Sequence, residues 1–524
     1  MSFSHAKKIG IASLIMMTSV FLSRVIGVFR EMVISYIGGA KAPVDAYQIA
    51  FVLPEILNHI LASGFLSITF IPIFSKYLTD NDEKGGWKIF SIVMTVFGCV
   101  LTVLILISMV AAEDLVRLIA PRIEDKDVLA SAARMTRIIL PAQIFFFAGG
   151  LLMAVQFAKE KFFLPALAPL VYNLGIIAGG IFLSPYVGME GFSWGVLGGA
   201  FMGNFLLQYM GARKAGMVFF PSLNMRHPQL KNYIKVTIPL MIGLSMTFST
   251  EFFLKYFGSS LPEGSIARLN YAFRVMLILV GFFGQSIGVA IYPFLSQLVS
   301  SGKKAEMGQL LANALKYMAI VIPFSALFMV LRTELIGLLF QHGKFNALDT
   351  HLTANALAFL LIGAIAFAAQ TVVTRGFYAM QSTIYPTVIN TITVVLCIPL
   401  FYLGTAYIGL NGLALAAAVS AIIQVIVLYY LWTKRNPPRN GNGILIFYLK
   451  VIAISLMIGA ILEYARKQAF SVMIPTSPWG NLLICLLTGG LFLILLICFA
   501  WVFKLDEVQT VLKRLLNKFR LSFG

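Results

Sequence analysis

The stretch "SRVIGVFREM" (residues 23–32) places two arginines and a glutamate inside an otherwise apolar segment. It follows "IGIASLIMMTSVFL" and precedes "VISYIGG", so the whole segment is long enough to cross a bilayer as a helix. On a helical wheel, Arg24, Arg30 and Glu31 share one arc with Ser23 and Gly27, whereas the opposite arc is aliphatic or aromatic. Because a charge that faces lipid is costly, we predict that the polar arc faces protein or a water-filled cavity.

The composition shows that this segment is one of many apolar segments. The chain has 524 residues, of which 59% are hydrophobic and 12% charged, whereas soluble domains are about half apolar and about a quarter charged. The sequence therefore predicts an all-α polytopic membrane protein with about fourteen transmembrane helices. The predicted spans lie near 10–36, 45–76, 88–112, 131–157, 163–184, 193–212, 232–256, 266–298, 308–331, 352–379, 385–405, 409–433, 444–463 and 481–503.

Basic residues collect in alternate loops and account for the net charge of +19. Examples are "KYLTDNDEKGGWK" at 76–88 and "KRNPPR" at 434–439, whereas "SPYVGMEGFSW" at 184–194 has no lysine or arginine. This asymmetry predicts a multi-pass membrane protein with both termini in the cytoplasm. It also explains the positive charge without a nucleic-acid partner. The last segment, 505–524, is predicted to be a basic amphipathic tail on the cytoplasmic surface.

Short sequence matches recur at one offset along the chain. The matched pairs, each separated by 221 (for example 293 − 72), are Pro72–Pro293, Ser75–Ser296, Ala158–Ala379 and Pro165–Pro386. They predict two six-helix lobes at 1–220 and 229–434, related by a pseudo-repeat around a central cavity that opens to each side in turn. Two accessory helices at 444–504 fall outside the repeat.

Further polar residues lie in the second and eighth spans. Asp45 begins the second span, and Glu55, Asn58 and His59 share one face of it through helical spacing. Arg274 lies in the eighth span, in the second predicted lobe. Ionisable groups at such depth mark functional sites by default, so these residues are predicted to line the cavity or to couple transport to an ion.

Two of these charge patterns have a simpler structural interpretation. Arg24 and Glu31 could form a packing ion pair within the first helix, and Glu251 and Lys255, one turn apart, are expected to pair with each other. Neither pattern has catalytic or metal-ligand spacing. The sequence contains no P-loop, so an ATP-driven pump is not predicted and neither is any cofactor. Membrane potential or an ion gradient is the expected source of energy.

The arginines favour an anionic ligand. A guanidinium keeps its charge and can grip phosphate oxygens with two parallel hydrogen bonds. We therefore predict that Arg24, Arg30 and Arg274 bind a diphosphate, with Glu31 among the polar and coupling residues of the cavity. A lipid tail attached to the diphosphate would lie in the bilayer.

Several longer stretches resemble one known family. They are "SRVIGVFREMVISYIGGAKAPVDAYQIAFVLPEIL" at 23–57, "FFLPALAPLVYN" at 162–173, "YPFLSQ" at 292–297, "LFQHGKFNALDT" at 339–350 and "RGFYAMQ" at 375–381. In this order they resemble the lipid II flippase family MurJ (MviN), of the multidrug/oligosaccharidyl-lipid/polysaccharide exporter superfamily. The resemblance implies fourteen helices in two lobes and transport of undecaprenyl-diphosphate-linked peptidoglycan precursor by alternating access.

The resemblance also assigns site residues and partners. It places Arg24, Arg30, Asp45 and Arg274 at the family's cavity positions, but Asn58 and the residue after it stand where the family usually has two arginines. Lipid II and membrane lipids are the expected partners, and other cell-wall synthesis proteins are further candidates. A flippase of another polyprenyl-diphosphate oligosaccharide and a cation or drug antiporter remain alternatives, whereas an enzyme is not predicted.

Overall fold

The computed structural model describes residues 3–59, 65–245, 249–380, 382, 384–438, 443–470 and 477–503. Within these ranges the chain forms helices and no strand. In the same ranges nine helices are long and apolar enough to cross a membrane, or ten if one bent pair counts as a single span. This confirms the predicted all-α polytopic membrane protein. The count of about fourteen spans stays a prediction, because the spans at 45–76 and 232–256 and the tail at 505–524 include residues outside the described ranges.

The chain divides into two compact units, Met1–Ala267 and Arg268–Gly524. The helices of the first unit are α1 (Phe3–Gly38), α2 (Ala42–Ala50), α3 (Val52–Leu57), α4 (Phe65–Thr79), α5 (Glu83–Val110), α6 (Ala112–Ile119), α7 (Lys126–Ile139), α8 (Ala142–Ala158), α9 (Phe163–Val187), α10 (Glu190–Gly199), α11 (Leu207–Lys214), α12 (Pro228–Ser245) and α13 (Ser249–Gly258). A π-helical segment, Ala200–Leu206, joins α10 to α11.

The second unit begins within a helix. This helix, α14 (Ser265–Leu279), continues through a π-helical segment, Val280–Gln285, into α15. The helices after α14 are α15 (Ser286–Ser300), α16 (Lys304–Met318), α17 (Val321–Val330), α18 (Arg332–Phe340), α19 (Ala347–Ile362), α20 (Ala364–Ala379), α21 (Ile384–Leu396), α22 (Ile398–Ile408), α23 (Leu410–Arg435), α24 (Ile444–Ala465) and α25 (Pro478–Val502). The pair α19 and α20 meets at a bend of 45°.

The boundary between the units follows packing contacts, whereas the predicted lobes follow the sequence repeat. Helix α12 packs against α4 and α5 and so belongs to the first unit. The lobes at 1–220 and 229–434 and the accessory pair at 444–504 therefore stay predictions.

Two helices match at the offset of the sequence matches. Helix α15 ends 221 residues after α4 (300 − 79), and each contains an internal proline, Pro72 or Pro293. The two six-helix lobes themselves stay predictions.

Two glycines at that offset adopt the same unusual backbone conformation. Gly188 ends α9 with φ 59° and ψ −139°, and Gly409 ends α22 with φ 65° and ψ −136°. Their separation is again 221 (409 − 188). Positive φ is disfavoured for residues with a Cβ atom, so this chain reversal explains a glycine at both positions.

Prolines account for the division of several predicted spans into shorter helices. A proline inside a helix clashes with the carbonyl group four residues earlier. Helix α2 ends at Ala50, four residues before Pro54, and α16 ends at Met318, five residues before Pro323. Each proline then lies in the first turn of the following helix, where its missing N–H is tolerated.

The last two helices pack against the second unit through apolar and ionic contacts. Buried residues of α24 and α25, among them Ile458 and Phe492, share one core cluster with Leu331. At the end of α24, Arg466 Nη1 lies 2.7 Å from Glu334 Oε1, and Arg466 Nη2 lies 2.9 Å from Glu463 Oε1. This ion cluster ties α24 to α18.

We expect Arg466→Met to lower the free energy of unfolding by about 1–3 kcal/mol, because the buried Glu334 carboxylate loses a charged partner. Thermal unfolding of the purified chain in detergent measures this loss. Lys467→Met is the matched control, since Lys467 also contacts Glu463 but is 63% exposed and should change stability by about 1 kcal/mol at most. Equal melting temperatures for the two variants would contradict the assignment of Arg466 as the tie.

Candidate functional site

The polar arc of α1 meets α9 on one side. Ser19 Oγ donates a hydrogen bond to the carbonyl oxygen of Ala166, and Asn173 Nδ2 donates one of 3.3 Å to Ser23 Oγ. Phe29, on the opposite arc, is exposed. Part of the polar arc therefore faces protein, as the sequence predicted.

Arg30 is held on this side by two neighbours. Its Nη2 lies 2.5 Å from Glu31 Oε1, and its Nη1 donates a hydrogen bond of 3.0 Å to Asn173 Oδ1. Asn173 is itself oriented, because its Nδ2 donates to the carbonyl oxygen of Pro169 at 2.9 Å. The Arg30 side chain is 20% exposed and that of Glu31 5%. The guanidinium is thus fixed in direction by its two neighbours.

Arg24 lies on the same helix but in a different environment. Its side chain is exposed, and among the residues that the structure describes none forms a hydrogen bond or an ion pair with it. The possible pairing of Arg24 with Glu31 is therefore wrong, because Glu31 pairs with Arg30 instead. The physical reason is that the Arg30 guanidinium, held by the Asn173 amide of α9, occupies the place beside the Glu31 carboxylate.

Asp45 acts as an N-terminal cap for a helix far along the chain. Its Oδ2 accepts a hydrogen bond of 2.6 Å from the backbone N–H of Gly264, and its Oδ1 accepts one of 2.7 Å from that of Ala267. Asp45 is buried. Nearby, the backbone N–H of Ala42 donates to Glu263 Oε1 at 2.9 Å. The start of α2 is thus bound to the start of α14, within the first unit.

The acid of the second predicted span is paired across two helices. Lys255 Nζ of α13 lies 3.6 Å from Glu55 Oε2 of α3. The expected pairing of Lys255 with Glu251 is therefore wrong. Helical spacing favours Glu251 as the partner of Lys255, whereas the tertiary packing of α13 brings Lys255 to Glu55 instead.

Asn58 and His59 follow Glu55 at the end of α3, and both are half-buried. His59 Nδ1 lies 3.1 Å from the carbonyl oxygen of Glu55, within hydrogen-bond distance. On the same predicted face, Glu55 contacts Lys255 of α13. That face of the second span therefore meets a charged residue of α13.

Arg274 lies in the second unit, on α14. It is half-buried, and its Nε is buried without a hydrogen-bond partner among the described residues. In the same unit, Arg375 Nη2 donates a hydrogen bond of 2.9 Å to Gln285 Oε1. The second unit therefore presents two arginines along the α14–α15 segment. The joint action of Arg274 with Arg24 and Arg30 stays a prediction.

One charged pair was missed by the sequence reasoning. Arg268 Nε and Nη2 lie 3.1 Å and 2.8 Å from Asp349 Oδ1. Asp349 is placed by a capping box, in which it and Asn346 exchange side-chain and backbone hydrogen bonds. The sequence signal was the spacing of Asn346 and Asp349 in "NALD".

The chain matches the family model described as "Lipid II flippase MurJ" over residues 34–476. The chain belongs to the lipid II flippase MurJ family. A lipid II flippase MurJ of Burkholderia cenocepacia is 28% identical over 451 residues, which are 84% of this chain and 87% of that protein. A probable lipid II flippase MurJ of Buchnera aphidicola is 28% identical over 91% of this chain and 94% of its own length.

Solved structures agree with this family at the level of the fold. A lipid II flippase MurJ in the inward closed conformation superposes with a TM-score of 0.77 at 23% identity, covering 94% of this chain and 99% of the other. An inward-facing multidrug resistance MATE family transporter of the MOP superfamily superposes with a TM-score of 0.65 at 13% identity, covering 79% and 94%. The MurJ family that the sequence resemblance implied is thus confirmed by the family model, and the superpositions agree with its fold.

Proposed function

We propose that this chain is a lipid II flippase of the bacterial inner membrane. It moves the undecaprenyl-diphosphate-linked peptidoglycan precursor from the cytoplasmic to the outer leaflet by alternating access. Membership of the MurJ family supports the reaction. The structural observation that carries the proposal is the pair of arginines on α1, one held by Glu31 and Asn173 and one exposed.

The two arginines suit two parts of diphosphate recognition. Arg30 is oriented before the substrate arrives, so less side-chain entropy is lost when phosphate oxygens bind. Arg24 is exposed and, among the described residues, has neither ion pair nor hydrogen bond, so its charge is available to a ligand. Together they offset the negative charge of a diphosphate inside an apolar segment, where an uncompensated charge would be costly.

Alternating access extends this site to the second half of the chain. In the proposal, Arg274 joins Arg24 and Arg30 as a contact for the diphosphate. Glu31, Asp45, Glu55, Asn58 and His59 form the polar and coupling residues of the same site. The basic loops support an orientation with both termini in the cytoplasm.

The energy source follows from the charge that moves. A membrane potential is worth about 2.3 kcal/mol per elementary charge per 100 mV. The net charge of a cavity lined by arginines depends on whether the diphosphate is bound. The membrane potential can therefore bias the direction of transport. The chain acts in this proposal as a transporter and not as an enzyme.

Complementation tests the proposal directly. We expect the chain to restore growth and peptidoglycan synthesis to a bacterium depleted of its own flippase, with precursor accumulation as the biochemical measurement. A strain that lacks its O-antigen or capsule flippase is the parallel host, and surface polysaccharide should not return there. Rescue of the second host alone would assign the chain to another polyprenyl-diphosphate oligosaccharide.

A further inference from the structure

Two acids and two bases from different helices form one cluster in the first unit. Glu55 and His59 lie one turn apart at the end of α3, and Glu251 and Lys255 lie one turn apart on α13. The ion pair crosses between the elements: Lys255 Nζ of α13 pairs with Glu55 Oε2 of α3, and His59 Nδ1 lies 3.1 Å from the carbonyl oxygen of Glu55. The cluster therefore brings an acid of the second span together with a lysine of α13.

The two charged groups of the ion pair in this cluster are too far apart to form a hydrogen bond. Its atoms, Lys255 Nζ and Glu55 Oε2, are 3.6 Å apart, beyond the usual range of about 2.7–3.2 Å. Lys255 is 8% exposed, whereas the Glu55 side chain is 29% exposed. A ligand can thus reach the pair from the Glu55 side. Because lysine has a long flexible stem, its ammonium can shift from Glu55 to a nearby acceptor.

A pair of this kind is a poor choice for stability alone. Burying two opposite charges costs desolvation energy that their attraction offsets only when the geometry is good, and apolar residues of similar size often replace such a pair without loss. The open geometry of Lys255 and Glu55 does not meet that condition. Glu55 shares one face of the second span with Asn58 and His59, where the family resemblance leads us to expect arginines.

We propose that Lys255 is a further contact for the substrate's diphosphate and that Glu55 is its counter-ion before substrate binds. This inference rests on the proposed function. When the diphosphate enters, its oxygens replace the Glu55 carboxylate as the partner of the ammonium. In this chain, α13 thereby supplies a cation in place of the second span.

Binding of purified full-length protein to lipid II, measured by native mass spectrometry, tests the inference, with undecaprenol as the lipid without a diphosphate. We expect Lys255→Gln to weaken lipid II binding about tenfold or more, since a charge-assisted hydrogen bond is lost. Glu55→Gln should bind lipid II as well as wild type or more tightly, because the Lys255 ammonium is no longer paired with a carboxylate. Lys235→Gln, which removes an exposed lysine of α12, is the matched control.

The double variant Lys255→Gln/Glu55→Gln separates contact from packing. It leaves no buried charge unpaired, so it should fold even if a single variant does not. If Lys255 contacts the diphosphate, the double variant should bind lipid II weakly. If Lys255 serves only packing, the double variant should bind lipid II normally, and Glu55→Gln should be as impaired as Lys255→Gln. If wild type neither binds lipid II nor rescues the depleted host, the proposed function fails. If wild type does both and Lys255→Gln binds equally well, only this inference fails.

Discussion

Replacing Arg30 by alanine is expected to abolish rescue of a flippase-depleted bacterium. The change removes a guanidinium that Glu31 and Asn173 hold in place, and it leaves the buried Glu31 carboxylate without this cation. The loss of one charge-assisted contact weakens substrate binding about tenfold or more. Arg30→Lys should rescue only in part, because an ammonium cannot hold two acceptors in the planar geometry of the guanidinium. Growth after depletion and precursor accumulation are the measurements.

A matched control separates this effect from damage to the fold. Arg134→Ala removes an arginine whose Nε lies 2.8 Å from Glu190 Oε1, but the Arg134 side chain is 56% exposed. Exposed pairs contribute about 0–1 kcal/mol, so rescue should be unchanged. Membrane levels of both variants are compared by immunoblot. Full rescue by Arg30→Ala at a normal membrane level would remove Arg30 from the diphosphate site.

The sequence predicted the class of fold well because the length of each apolar segment can be read from consecutive residues. The polar arc of α1 was also predictable, since Arg24, Arg30 and Glu31 are fixed on it by helical spacing alone. The 221-residue offset was visible because helices with an internal proline, such as α4 and α15, keep their positions in the repeat.

The sequence alone did not predict which charged side chains pair with each other. Helical spacing allowed Glu31 to pair with Arg24, yet the side-chain amide of Asn173, 143 residues away, helps to hold Arg30 beside it. Spacing likewise allowed Lys255 to pair with Glu251, yet tertiary packing brings Lys255 to Glu55. In both cases the partner depends on a neighbouring element, which helical spacing does not describe.

Replacing Asp45 by alanine is expected to destabilise the protein and to abolish rescue. The backbone N–H groups of Gly264 and Ala267 lose their acceptor, and the positive end of the α14 dipole loses its carboxylate. Two orphaned donors at a buried helix end correspond to about 2–4 kcal/mol of unfolding free energy. Since α14 also carries Arg274, a displaced helix start should impair transport as well. Thermal unfolding in detergent and complementation measure the two effects.

Asp125 offers the matched control, because it caps α7 in the same way at an exposed site. Its Oδ1 accepts hydrogen bonds from the backbone N–H groups of Asp127 and Val128. Water can replace these contacts, so Asp125→Ala should cost about 1 kcal/mol or less and leave rescue intact. Asp45→Asn adds a graded test, since its single amide oxygen can replace only part of what the carboxylate accepts. Equal stability and equal rescue for Asp45→Ala and Asp125→Ala would show that the cap on α14 serves neither folding nor transport.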